Sequence, residues 1–348
     1  MYRLLETLGW RNYFQAQLDE SLPDTVQPAR VMAVHRNRVD LAGIEGLDLV
    51  ALGGPVAPGD VTTGDWVLVD TAIPRLHSVL QRFGVFKRRA AGASAAVQLI
   101  AANVDTLFIV TSANRDFNIA RLERYLALAH EASAWPVIVI SKADTVASTA
   151  SFVSDAQKLG AGLLVEALDA RDVAAVDTLR PWCGPGQTVA LLGSSGVGKS
   201  TLINTLSGAG EKTQEVRADD QRGRHTTTAR VMHSLPAGGW LIDTPGMREL
   251  QLVDVTAGLS DAFAEIAELA DECRFDDCRH EAEPGCAVRA AIENGTLDEG
   301  RLRRYRKLVS ENRRNSQTAA ERRSRDRSLS KLYKSIQTGR RRDKHADD

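Results

Sequence analysis

The chain has 348 residues, 43% of them hydrophobic, with 44 Lys and Arg against 45 Asp and Glu for a net charge of −1. That composition excludes wholesale disorder and leaves room for two or three domains with real cores. There is no signal-peptide core and no run of about eighteen apolar residues, so a soluble, cytoplasmic protein without a membrane partner is expected. The near-neutral total hides an asymmetry: Arg301–Asp348 holds 17 Lys and Arg against 6 Asp and Glu, a surplus of 11 positive charges, which leaves a surplus of 12 negative ones on the first 300 residues. A basic tail on an acidic body suits a polyanion such as RNA, although a solvated helix with a disordered end would read the same way.

From Ala29 to about Phe86, short alternating stretches such as "ARVMAVHRNRVDLA", "LDLVALGG", "DWVLVDT" and "RLHSVLQRF" are separated by Gly, Pro and Asp turns. They predict about five strands of a small barrel of OB type, with Arg36, Arg38, Arg75 and Arg82 on or beside them. "KRRAAGASAA", Lys87–Ala96, reads as a basic linker closing an N-terminal unit of residues 1–96. Beyond Val97, apolar strands alternate with amphipathic helices: "DTLFIVTS", "IARLERYLALAHEA", "WPVIVISKAD", "GLLVEALD", "QTVALLGSSGVGKS" and "GWLIDTPGM". This alternation predicts a parallel sheet covered on both faces, over residues 97–255, with its polar motifs at the carboxyl ends of strands.

Gly193, Ser194, Ser195, Gly196, Val197, Gly198, Lys199 and Ser200, followed by Thr201, form a glycine-rich turn between strand and helix. The glycines let successive N–H groups face an anion, Lys199 supplies a cation for the β- and γ-phosphates, and Ser200 offers a hydroxyl to Mg²⁺. "LIDTPG" brings Asp243 to the Mg²⁺ shell and Gly246 toward the γ-phosphate, although Asp-Thr-Pro-Gly alone is also an ordinary tight turn. Between these motifs lies a polar stretch with no apolar periodicity, read as a switch loop whose Thr226–Thr228 tract closes on Mg²⁺. Met247 stands where a water-orienting glutamine is usual, so His225 is the candidate for that role; it could equally be a surface histidine.

"SKAD" supplies a guanine-reading pair: Asp144 for the two adjacent N–H donors of the base and Lys142 along the ring, with Ser141 ahead of them. Asp144 as a plain helix cap is the competing reading. The order of motifs decides, because the Lys-x-Asp loop precedes the phosphate loop by about fifty residues, the arrangement of a circularly permuted GTPase. After about Val255 the pattern turns helical. Cys273-x₄-Cys278-x-His280-x₅-Cys286 then offers three thiolates and an imidazole, a set suited to one structural Zn²⁺, with buried reduced cysteines as the alternative. The basic helix "EGRLRRYRKLVSENRR" follows, within a C-terminal unit of residues 256–348.

These strings, together with "IAANVDTLFIVTSANRDFNIARLERYLALA", "GRHTTT", "DTPGMREL" and "CRFDDCRHEAEPGCAV", resemble the RsgA (YjeQ) family of small-ribosomal-subunit-dependent GTPases over nearly the whole chain. The resemblance implies an N-terminal OB-type β-barrel, a circularly permuted P-loop GTPase domain and a C-terminal zinc-binding α-helical domain. It implies GTP hydrolysis to GDP stimulated by the small subunit and its rRNA, in late subunit maturation. Gly193–Thr201 match the family's phosphate loop, Thr226–Thr228 its switch threonines, with Thr227 as Mg²⁺ ligand and sensor beside Ser200 and Asp243, and Cys273, Cys278, His280 and Cys286 its zinc ligands. Two positions depart from the pattern. Ser141 replaces an Asn, and its shorter side chain is expected to weaken guanine binding; Glu166 replaces a Ser, leaving only backbone N–H groups for the base there. A monomer is expected. The competing reading is an RNA-binding module whose nucleotide is structural.

Overall fold

The computed structural model describes residues 2–89, 97–208, 230–243 and 252–316. The chain opens with short helices α1 (Tyr2–Thr7) and α2 (Asn12–Gln15), then strands β1 (Val26–Val34), β2 (Arg38–Ala42), β3 (Leu49–Ala51), β4 (Trp66–Asp70) and β5 (Arg75–Val79). β1 pairs antiparallel with β2 and β4, β2 pairs with β3, and β4 pairs with β5. Alternation puts Val39 and Leu41 of β2 inward, where they meet Val31, Val50, Val67, Val69 and Leu76 in a separate small core. β3 lies against β5, but no ladder joins them among the described residues, so the expected barrel is seen as five strands without full hydrogen-bonded closure.

β6 (Val85–Arg89) and β7 (Val97–Ala102) form an antiparallel pair. The expected linker is therefore partly strand: Lys87 pairs with Leu99 and Arg88 with Gln98, while residues 90–96 lie outside the described set. Pairing with an apolar neighbour overrides a composition that carries no alternation of its own.

The α/β region runs β8 (Thr106–Ser112), α3 (Ile119–Glu131), β9 (Trp135–Ser141), α4 (Ala150–Gln157), β10 (Leu164–Ala167), α5 (Val173–Val176), β11 (Thr188–Leu192), α6 (Lys199–Leu206), β12 (Arg230–Ser234) and β13 (Trp240–Asp243). The sheet order β10-β9-β8-β11-β13-β12 is parallel except for β12. β8 and β11 are buried along their whole length, as strands covered on both faces must be. The chain moves outward from β8 through β9 to β10, then returns to β11 on the other side of β8. The loops after β8 and β11 thus diverge, leaving a crevice at their carboxyl ends.

The N-terminal strands are not a separate layer. β1 exchanges β4 for β12 along one edge, with Ala33 opposite Val231, so one eleven-stranded mixed sheet runs from β10 into the N-terminal unit. Arg30 of β1 crosses the junction: its guanidinium donates to Leu8 O, to Asn103 O at 3.3 Å and to Thr188 Oγ1 at 2.8 Å. Burial pushes its pKa down to about 10, which leaves it charged at neutral pH.

The C-terminal helices are α7 (Thr256–Ala262), α8 (Ala264–Asp271), α9 (Ala287–Glu293) and α10 (Glu299–Ser316). α7 lies directly on α3, because a Cβ on Gly258 would sit 2.0 Å from Ala127 O. Phe263, Ile266, Val288 and Leu302 join Leu122 and Leu126 of α3 in one core. A buried charge cluster pins the two regions: Glu123, fully buried on α3, accepts from Arg301 Nη1 at 3.0 Å and Arg304 Nε at 2.8 Å on α10. Among the described residues, no helix is long and apolar enough to cross a membrane.

Candidate functional site

β11 delivers the chain into the crevice at Gly193, where a Cβ would fall 2.2 Å from Val110 O; only glycine fits between the two strands. Gly196 and Gly198 take left-handed backbone conformations, φ +81° and +92°, and α6 begins directly after Gly198. The loop therefore wraps the positive end of α6. Lys199 folds back over it, buried, with Nζ donating to Gly193 O at 2.6 Å and to Ser194 O. Ser195 and Ser200 are exposed, Thr201 is half-buried and Val197 is buried. Asp243 ends β13, exposed, one residue beyond the Ala190–Ile242 pairing of β13 with β11.

The loop after β9 meets the phosphate loop directly. Ser141 is fully buried, its hydroxyl 2.6 Å from Val197 O and 2.9 Å from Thr111 O. The short side chain thus reaches the phosphate loop, and a Cβ on the neighbouring Gly198 would stand 3.4 Å from its hydroxyl. A hydroxyl has one proton, however, so it serves one of the two carbonyls at a time. Lys142, itself left-handed at φ +57°, donates from Nζ to Gly196 O at 2.8 Å. Asp144 follows in a short 3₁₀ turn, exposed, and accepts from Arg171 Nη2 at 2.7 Å.

Arg171 belongs to a second loop, Leu168–Arg171, which lies beside the first through Ala143 N–H to Leu168 O at 3.3 Å and is tied to α6 by Thr205 Oγ1 to Ala170 O at 2.7 Å. Glu166 lies just before it within β10, paired with Val139. Sequence reasoning missed Arg171. It also missed Arg121 of α3, whose Nη1 donates to Ser194 Oγ at 2.6 Å. Arg171 sits in no quoted motif, and Arg121, although inside the long string shared with the family, is marked there only as a cation in the first turn of a helix. His225, Thr226–Thr228, Gly246 and Met247 lie outside the described residues.

The four predicted metal ligands converge at the end of α8. Cys273 Sγ and Cys286 Sγ lie 3.6 and 3.5 Å from His280 Nδ1 and 3.9 Å from each other, with Cys278 in the same cluster. Tetrahedral Zn²⁺ with bonds of about 2.3 Å to sulfur and about 2.05 Å to nitrogen requires ligand separations of about 3.8 Å (S···S) and about 3.6 Å (S···N). The donor set fits one such ion. His280 and Gly285 make the left-handed turns that fold the ligands inward, and burial lowers the His280 pKa, favouring the neutral imidazole a metal requires. Cys286 also caps α9, its Sγ accepting from Arg289 N–H at 3.4 Å.

A parallel sheet reversing at a glycine-rich phosphate loop, with a Lys-x-Asp loop upstream in sequence yet adjacent in space, defines a circularly permuted P-loop GTPase fold. A family model described as RsgA GTPase matches residues 79–253. "Small ribosomal subunit biogenesis GTPase RsgA 2" of Vibrio parahaemolyticus is 51% identical over 340 residues, covering 97% of this chain and 94% of that protein. Among solved structures, YjeQ from Thermotoga maritima superposes with a TM-score of 0.62 at 25% identity, covering 82% of this chain and 98% of that one. YloQ, described as a circularly permuted GTPase, gives a TM-score of 0.59 at 21% identity, covering 86% and 100%. The chain belongs to the RsgA GTPase family.

Proposed function

We propose that the protein binds the small ribosomal subunit and, stimulated by it, hydrolyses GTP to GDP in a late step of subunit maturation. The observation that supports this most is the direct contact between base loop and phosphate loop, through Lys142 Nζ on Gly196 O and Ser141 Oγ on Val197 O. Those contacts make one site able to read a base and hold a polyphosphate together. In this reading Gly193–Thr201 cradle the phosphates, Lys199 neutralises the β- and γ-groups, and Asp144 takes the two N–H donors of guanine. Mg²⁺ entering with GTP would be held by Ser200, Asp243 and Thr227 and would neutralise charge on the β- and γ-oxygens. His225 orients the attacking water, and Thr227 links the γ-phosphate to closure of the switch.

Residues 1–96 then form an OB-type RNA-facing unit, 97–255 the GTPase and 256–348 the zinc-binding unit. The neighbour order β3-β2-β1-β4-β5, with β3 against β5, supports the OB reading. The basic surface is narrower than the arginine count suggests. Arg82 is engaged by buried Asp65, Arg301 and Arg304 by Glu123, and Arg306 by Glu281. Arg303, Lys307, Arg313 and Arg314 remain exposed on α10 for phosphate contacts, whose affinity falls steeply with salt.

Two tests follow. Co-sedimentation with purified small subunits should be strong with a non-hydrolysable GTP analogue and weak with GDP, and His225→Ala should keep nucleotide binding while losing stimulated turnover. Binding that ignores the nucleotide would favour an RNA-binding module with a structural nucleotide. Ser141→Asn supplies two N–H donors for the two carbonyls that share one hydroxyl proton, so the GTP dissociation constant should fall by about fivefold; an unchanged constant would remove Ser141 from guanine binding.

A further inference from the structure

Arg121 occupies a position that helix electrostatics disfavours. Asn118 caps α3, its side chain accepting from the Arg121 N–H at 3.0 Å, so Arg121 lies in the first turn, where the positive end of the helix opposes a cation. The guanidinium is half-buried, and its Nη1 donates to Ser194 Oγ at 2.6 Å and to Asp116 O at 3.4 Å. Ser194 is the residue whose backbone carbonyl accepts from Lys199. Two cations thus converge on one residue of the phosphate loop, from opposite elements.

The helix that carries Arg121 is firmly held. One turn on, Glu123 is paired with Arg301 and Arg304 and Arg124 with Glu311 at 2.5 Å, and near its end Glu131 accepts from Gly258 N–H at 3.0 Å. A side chain fixed on such a base can impose its geometry on a loop. A residue that breaks a local rule, on a rigid element, at a ligand loop, is where function is expected to outweigh local stability.

We propose that Arg121 is a positioning residue of the nucleotide site: through the Ser194 hydroxyl it sets the first half of the phosphate loop for the polyphosphate. Its charge adds to that of Lys199 on the loop that is to hold a polyanion. The inference rests on the reading of Gly193–Thr201 as the phosphate loop.

A double-mutant cycle on the full chain tests it, with the dissociation constant of a fluorescent GDP analogue as readout. Arg121→Ala and Ser194→Ala should each weaken binding about tenfold, and the double variant should be no weaker than either single one, because both remove the same contact. Arg121→Lys, which keeps charge and a donor, should recover most of the affinity. Arg121→Gln serves in place of Arg121→Ala should the alanine variant lose its thermal transition. Binding by Arg121→Ala within twofold of the parent, or effects that multiply to about a hundredfold in the double variant, would overturn the proposal. Lys199→Ala separates the two levels. If it abolishes binding while the Arg121 variants bind normally, only this inference falls; if it too binds normally, the phosphate-loop reading falls with it.

Discussion

Glu123→Ala is expected to cost about 3 kcal/mol of stability, because it removes the fully buried carboxylate that two guanidinium groups share and leaves Arg301 dependent on the more exposed Glu265. Arg301 is 5% exposed and lies over the Phe263 ring, 4.4 Å from its centroid. Its remaining contacts, Glu265 at 2.6 Å, Leu159 O at 3.0 Å and Ala262 O at 2.9 Å, leave one carboxylate to serve Arg301 while Arg304 loses its buried partner. The energetic cost comes from a buried guanidinium left with one carboxylate where it had two, so a modest trim of the side chain has a large effect. Hydrogen exchange across α3 and α10 reads it locally, which matters in a chain too large for a single two-state transition. A loss below about 1 kcal/mol would mean that water reaches the cluster and that the contact is worth no more than a surface pair.

Removing a zinc ion held by the Cys273, Cys278, His280 and Cys286 cluster, which could bind one, is the second large perturbation, and its expected signature is local. A closed structural site of this type holds its ion with an apparent binding free energy of about 10–16 kcal/mol, all of it available to folding. Between Cys273 and Cys286 the chain contains only turns, and the ligands are its main crosslink. Chelation should therefore release one zinc per chain and abolish amide protection over Cys273–Cys286, while α9 keeps the part of its protection that Val288 and Ala291 owe to the main core. α7 and α10 should keep theirs, because they pack on α3 within the main core. Cys286→Ala should copy the effect and remove the cap of α9 as well. Purified chain containing no stoichiometric zinc, or protection in this segment indifferent to a chelator, would contradict the assignment.

What could be read in the residues alone was what local chemistry dictates. The phosphate loop needs glycines at positions where a Cβ clashes or φ is positive, and Gly193, Gly196 and Gly198 occupy them. The cysteine spacing likewise limits where four ligands can meet. Long-range pairing was not legible. Glu123 meets Arg301 across 178 residues, and nothing in either neighbourhood marks the partner. β6 read as a linker because its strand character comes from β7, and the merging of β1 with β12 into one sheet depends on pairing across the whole chain. Ser141 was legible as a departure from a motif, yet its contact with Val197 joins two loops 56 residues apart and left no mark in the residues around either. The basic surplus lies at the C-terminal end, but Arg301 and Arg304 within it are engaged by buried Glu123.

The most direct test of the central claim is the turnover of GTP and of ATP by the full chain, with and without purified small ribosomal subunits. Slow GTP hydrolysis by the chain alone, a rise of at least about tenfold when small subunits are added, and no hydrolysis of ATP in either state are expected. Turnover that does not respond to small subunits, or ATP consumed as readily as GTP, would contradict that claim.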